Sequence, residues 1–275
     1  MNFSTYTKDN FEVKTSTFAG DGSNGEIHAI VTTCNPLLTF QEQLEAVAEG
    51  VGSITTQNNG YTPVFVRLML SDAANQAESA VAKIKTIVGD AALAYIEQPP
   101  LHGAKIAALV YLRQNVEIER VDNFTVKVSA NGYTHFYTAN CVFETIETYL
   151  ETADQLWYLE KMLKDNGLNI ADNCVRTWFY VQNIDVNYAA VVKARRDNFN
   201  ENGLTVDTHY ISSTGICGRH AKKEITSVMD AYCVGGLQPG QMKFLYAADH
   251  LNRTSDYGVT FERGTTVDYT DRRHV

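Results

Sequence analysis

Four places in the sequence carry side chains able to do chemistry. Arg176 stands in the run Val175-Arg176-Thr177-Trp178-Phe179-Tyr180-Val181, where its same-face neighbours are aromatic. A guanidinium offers two parallel donors to one carboxylate, so Arg176 suits either a cleft that takes a small anion or an internal pairing with an acid. Arg219 follows Ile216-Cys217-Gly218, where a strand-end arginine could hold an anion or simply stand in a solvated turn. The neighbours Glu262 and Arg263 would supply a proton-exchanging acid and a positive charge to one cleft, or form a surface ion pair. Cys217 becomes a nucleophile only beside a positioned base, and otherwise packs at a strand end.

Repeated strand openings are the elements that must position these groups. Phe11-Glu12-Val13-Lys14, a turn, and Ile27-His28-Ala29-Ile30 return as Phe124-Thr125-Val126-Lys127, a turn, and Thr134-His135-Phe136-Tyr137. They return again as Thr265-Thr266-Val267-Asp268 and Arg272-Arg273-His274-Val275. Recurrence over such a distance is the mark of a duplicated folding unit. His28, His135 and His274 share one place in these openings. Imidazoles brought together on an axis would suit zinc; duplication alone also explains them.

Each full repeat reads as hairpin, helix, strand, helix and two strands. In the first, Phe40, Leu44, Val47, Val51 and Ile54 form a helical stripe, with Thr39 as N-cap and Asn58-Asn59-Gly60 as the stop. Pro63 to Leu70 alternates, placing Val64, Val66, Leu68 and Leu70 on one face and Phe65, Arg67 and Met69 on the other. A second stripe runs through Ala73, Ala77, Val81, Ile84 and Val88, and two strands follow, joined through Pro99-Pro100. In the second repeat the first helix carries Ile146, Leu150, Ala153, Leu156, Trp157 and Leu163. The next strand sets Val175, Thr177, Phe179 and Val181 against Arg176, Trp178 and Tyr180, so that Arg176 matches Arg67. The second helix carries Tyr188, Val192, Arg195 and Phe199. Two helices on one face of a mixed sheet make an α+β layer, whose other face is expected to be buried against a further copy. The expected divisions are 1–115 and 116–240 for the units and 241–275 for a linker and the first strands of an incomplete third. Thr265 to Val275 would dock on a sheet edge or be poorly ordered.

A formal net charge of −9 at pH 7 disfavours phosphate backbones and anionic membranes as partners. The five cysteines are widely spaced with no C-x-x-C pair, so neither a zinc site nor a disulfide framework is expected, and a reduced, cytoplasmic protein is. No apolar leader or membrane span is read, and no cofactor is implied.

In their order and spacing, Val175 to Val181, the helix with Tyr188 and Arg195-Arg196, Ser213-Thr214-Gly215-Ile216, and Gln98-Pro99-Pro100-Leu101-His102-Gly103-Ala104-Lys105 resemble the RidA (YjgF) family. The resemblance covers both repeats. The Ser-Thr-Gly-Ile stretch and Tyr257 to Gly264 look more like its multi-domain branch, which includes the chorismatases. It implies tandem chorismate-mutase-like units, assembled in threes by self-association or as an intrachain pseudo-trimer, with ligand sites between units. Enamine and imine hydrolysis, chorismate hydrolysis, and ribonuclease or translation-inhibitor roles are the activities it brings. The arginine with which the family's deaminases grip a carboxylate falls at or beside Ser213, and near Ala92 or Leu93. Their glutamate falls near Val228 and Ala107. Both anchors are absent.

The expectation is therefore a protein that binds a small anionic metabolite, with hydrolysis as its reaction, and with Arg176, Ser213, Thr214, Arg219, Glu262 and Arg263 as ligand-binding residues. The alternative is a catalytically silent scaffold in a shortened form of a three-unit protein. An RNA-binding role is disfavoured by the charge.

Overall fold

Alternating runs become strands and 3.6-periodic runs become helices, in one order twice over. The computed structural model describes residues 1–19 and 24–275; part of the expected turn between Lys14 and Ile27 falls in 20–23, outside the described residues. The first series is β1 (Asn2–Lys8), β2 (Phe11–Phe18), β3 (Glu26–Thr33), α1 (Phe40–Gln57), β4 (Tyr61–Leu70), α2 (Ala73–Val88), β5 (Ala92–Glu97) and β6 (Ile106–Gln114). The second is β7 (Ile118–Arg120), β8 (Thr125–Ala130), β9 (Tyr133–Cys141), α3 (Thr148–Asp165), the single turn α4 (Ile170–Asn173), β10 (Cys174–Val181), α5 (Ile184–Glu201), β11 (Ser212–Cys217) and β12 (Ser227–Gly235). β13 (Met242–Leu245), β14 (Gly264–Asp268) and β15 (Arg273–His274) complete the chain.

One six-stranded sheet runs β1-β2-β3-β6-β4-β5 and the other β7-β8-β9-β12-β10-β11, the same order element for element. Each is mixed: β4–β5 and β10–β11 are parallel, while β4–β6 and β10–β12 are antiparallel. The expected α+β fold of two tandem RidA-like units is thus present, with a three-stranded sheet β13-β14-β15 besides. Thr265 to Val275 accordingly enters a sheet with Met242–Leu245 rather than remaining a lone hairpin. By contacts the chain divides into Met1–Asn131 with Arg219–Lys223, and Gly132–Gly218 with Glu224–Val275.

In the first unit Leu44, Val47, Val51 and Ile54 of α1 and Ala77 and Ile84 of α2 pack on Val66, Leu68, Ile106 and Val110. Thr39 caps α1 through a capping box in which Thr39 N–H donates to Glu42 Oε2 at 2.8 Å. Gln43 is buried inside this face, where its amide donates to Pro36 O and Leu38 O while Lys105 N–H donates to its oxygen.

The second unit departs from expectation at α3. Ile146, Leu150 and Trp157, expected in the core, are 99%, 43% and 60% exposed, while Leu156 and Leu163 are buried. The face turned inward carries Glu151, Thr152 and Gln155, each fully buried. It can do so because these groups find partners. Glu151 Oε2 accepts from Thr226 N (2.9 Å), Thr226 Oγ1 (2.6 Å) and Ser227 N (2.9 Å), and Gln155 donates to Ser227 O at 2.7 Å. Gln43 and Glu151 each stand fourth in their helix and each take the amide that precedes the central strand, so they are structural equivalents.

Sheet register also corrects two pairings. β4 and β10 each carry an irregularity against their central strand, at Pro63/Phe65 and Cys174/Arg176, and Phe65 faces Tyr111 as Arg176 faces Tyr232. Arg176 therefore matches Phe65, and Arg67 matches Trp178. Each strand stacks its arginine on its aromatic, 5.1 Å for Arg67 over Phe65 and 5.0 Å for Arg176 over Trp178, with the order exchanged. Likewise His28 faces Tyr111 and Tyr137 faces Tyr232, so His28 corresponds to Tyr137 and not to His135. The short openings look alike in sequence, but the ladders are offset by two residues.

Candidate functional site

A cavity of about 200 Å³ opens in the second unit, with Tyr210, Tyr246, Arg253, Thr254, Glu262 and Arg263 in its wall. Glu262 is placed by backbone pairing. Its N–H donates to Ile211 O at 3.0 Å and it bridges in parallel to Ser212, just where β11 begins. The carboxylate folds back so that Oε1 accepts from Tyr210 N at 2.9 Å. Next door, Thr265 Oγ1 bonds Ser212 Oγ at 2.7 Å, both buried. The opposite part of the wall is a 3-10 turn, Thr254–Tyr257, ended by Gly258 in the left-handed conformation (φ 80°) that glycine adopts without strain. Thr254 Oγ1 donates to Phe261 O at 2.6 Å and so ties this turn to the strand of Glu262.

Glu262 is 7% exposed, and burial pushes its carboxyl above the ordinary value, opposed by the Tyr210 N–H and the charge of Arg253. Burial also raises the Tyr210 and Tyr246 phenols, with the Glu262 charge adding to it. Arg253 lies over the Tyr246 ring at 5.7 Å, and among the described residues no acceptor is hydrogen-bonded to its guanidinium. Arg263 donates to Asn252 O at 3.1 Å and rests over Tyr257 and Phe261. The wall thus brings two guanidinium groups together with the Glu262 carboxyl, which burial raises, and the Asp207 carboxylate; of these, the guanidinium groups are able to hold an anion and Glu262 is able to exchange a proton.

Of the six residues expected from sequence, Glu262 and Arg263 line this cavity. Arg176 Nη2 instead donates to Thr214 Oγ1 at 2.6 Å on the aromatic face. Ser213 points to the helix side, bonded to Thr177 Oγ1 (2.8 Å) and Arg195 Nη1 (3.0 Å). Arg219 groups with the first unit, bridges to Glu97 and lies 3.8 Å from its carboxylate. Arg253, Tyr210 and Tyr246 were not singled out in the sequence; no periodicity or motif marks them. Among the described residues no three His, Cys, Asp or Glu side chains stand together as a metal site, and no helix is long and apolar enough to cross a membrane.

No family model matches the sequence, and no curated protein does. Solved structures do. A chorismatase matches with TM-score 0.50 at 14% identity over 75% of this chain and 59% of its own, so this chain spans about three fifths of that protein. A member of the YjgF/YER057c/UK114 family from Mycobacterium tuberculosis matches with TM-score 0.32 at 18% identity, over 39% of this chain and 82% of that one. A YjgF-family protein from Neisseria meningitidis gives 0.33 at 18%, over 41% and 87%. At such identities the likeness is one of fold: the chain is built from tandem RidA-like units and resembles chorismatase in its architecture.

Proposed function

We propose that this protein binds a small anionic metabolite, a carboxylate of chorismate's size or less, in the cavity of the second unit. The observation that carries the reading is the convergence of Arg253, Arg263 and the buried Glu262 on one cavity of about 200 Å³. Arg253 is the anion anchor, because its guanidinium is not engaged by an acceptor of the chain, whereas Arg263 is already held by Asn252 O. Glu262 is the group that would give a proton to a leaving oxygen or take one from water, the role hydrolysis requires. The fold likeness to chorismatase supports chorismate as the first ligand to try. The alternative, a silent scaffold, gains support from the loss of the deaminase anchors, since Leu93 and Ser213 occupy the register where the gripping arginine would stand.

Titration calorimetry with chorismate and with benzoate tests the reading, with turnover of chorismate followed by proton NMR. Saturable binding is expected for at least one of the two. Arg253→Ala should weaken it by roughly tenfold to a hundredfold, the worth of a charge-assisted hydrogen bond. Glu262→Gln should abolish turnover while leaving binding in place. Absence of binding for both ligands, or binding indifferent to Arg253→Ala, would overturn the assignment and leave the scaffold reading.

A further inference from the structure

The two repeats differ in one core position that the cavity does not use directly. The strand, helix and parallel-strand positions Val66, Ile84 and Leu93 belong to one apolar cluster in the first unit. Strand register and helix starts place Thr177, Arg195 and Ser213 at the same positions in the second. An arginine thus stands where the other copy has isoleucine. Arg195 has no solvent exposure, and among the described residues no carboxylate pairs with it. A guanidinium does not shed its charge, so a sequence that buries one without an acid must answer it with oriented oxygens and π-faces.

Besides the Tyr188 phenol on its own helix, the partners that answer it come from two places, and among the described residues Nη2 is buried with no hydrogen-bond partner. Nη1 donates to Ser213 Oγ at 3.0 Å, on β11 in the sheet. Nε donates to Thr260 Oγ1 at 3.3 Å, and the guanidinium lies over the Phe261 ring at 5.6 Å. Thr260 and Phe261 belong to the stretch between the 3-10 turn and β14, for which the described first unit has no counterpart. That stretch also delivers Glu262 to the cavity, and the Thr254–Phe261 bond ties it to the turn, whose Thr254 lines the cavity too.

We propose that Arg195 is a positioning residue, a buried latch that fixes segment 254–263 to the core of the second unit and so sets the cavity wall. The segment has few apolar anchors of its own: Thr254, Thr260 and Glu262 are its buried residues, all polar. A central cation that bonds the sheet on one side and the segment on the other supplies the missing cohesion. Ser213 is held in turn by Thr177, which orients its hydroxyl to accept from Arg195.

Hydrogen exchange read by mass spectrometry on the whole protein tests the latch without any ligand. Arg195→Met fills the core much as Ile84 does in the first unit and removes only the polar reach. Exchange across 254–263 should then quicken at least tenfold, with 227–235 of β12 unchanged. Arg195→Lys, which keeps the charge and loses the fork, should fall between. If Arg195→Met fails to fold, Thr260→Val removes the segment's end of the bond alone and should produce the same local quickening. Exchange in 254–263 within twofold of wild type in the folded variant, or equal quickening throughout β9 and β12, would overturn the proposal. The consequence for ligand binding rests on the cavity reading: weaker chorismate binding in the variant is expected, and if wild type binds nothing while exchange responds as stated, that reading fails and the latch stands.

Discussion

Replacing Glu151 by glutamine should stabilise the second unit at neutral pH. Oε2 of Glu151 accepts three hydrogen bonds, while Oε1 is buried with no partner. Two terms compete. Losing the charge weakens three charge-assisted bonds, at about 1 kcal/mol each. Removing the charge also removes a desolvation penalty worth several kcal/mol. Burial is the dominant influence on this carboxyl and raises it above its ordinary value near 4.5, so the second term wins. Because the folded state holds its proton to higher pH than the unfolded state, stability contributed by this group is lost as pH rises from about the unfolded value through the folded one. The glutamine variant has no such loss. It should match wild type below about pH 4 and exceed it by roughly 1–2 kcal/mol at neutral pH. Gln43 in the first unit shows that an amide satisfies the same place. The chain's two tryptophans, Trp157 and Trp178, both lie in the second unit, so urea unfolding followed by their fluorescence at a series of pH values reads this unit alone. A variant less stable than wild type at neutral pH, or a difference that does not change with pH, would refute the argument.

Two further outcomes follow from packing and exposure. A Cβ at Gly215 would lie 2.5 Å from the Tyr188 ring, so Gly215→Ala should cost about 1–3 kcal/mol in the same fluorescence assay; an unchanged midpoint would mean that Tyr188 does not lie on β11. Of the five cysteines, Cys34 and Cys217 are exposed and Cys141, Cys174 and Cys233 buried. Ellman titration of the native protein should therefore count two thiols and find the other three only after unfolding; a third fast thiol would contradict the burial of Cys141, Cys174 and Cys233.

Much of the first unit was legible because its core is apolar. Thr39 announces the start of α1, and Pro63 to Leu70 alternates in the sequence as it does in the sheet. α3 was legible as a helix but not in its orientation. Ile146 falls before its first turn and Leu150 and Trp157 face outward, since beside Leu156, Leu159 and Leu163 the inner face is completed by Glu151, whose hydrogen-bond partners at Thr226 and Ser227 lie 75 residues or more away in sequence. Matching Arg67 to Arg176 by their preceding valines failed for a related reason. Irregularities at Pro63/Phe65 and Cys174/Arg176 set the register, and a local likeness carries no information about a bulge. Glu262 and Arg263 stood out as charged neighbours, whereas Arg253 and Tyr246 sit in a stretch without period and reach the cavity only through turns and side-chain ties.

The two copies also show which positions the duplicated fold holds and which it lets drift. The place of Gln43 and Glu151 is kept as an oxygen that accepts the amide entering the central strand, because leaving that buried N–H unmet would cost either unit about 1–3 kcal/mol. Positions whose role is only to fill space have changed character. Leu44, Val47 and Ile106 correspond to Thr152, Gln155 and Ser227, and Val66, Ile84 and Leu93 to Thr177, Arg195 and Ser213. Each polar member of these sets bonds another or the backbone beside it, so the exchange is tolerated as a set and not residue by residue. The second set reaches outward to Thr260, and the first does not reach beyond its own helix and strands. On the latch proposed above, a polar core that ends on segment 254–263 has a use the apolar one lacks: it would hold a wall for which the described first unit has no counterpart. On that ground the second unit, and within it the face served by Arg195, is where this protein's chemistry should be sought.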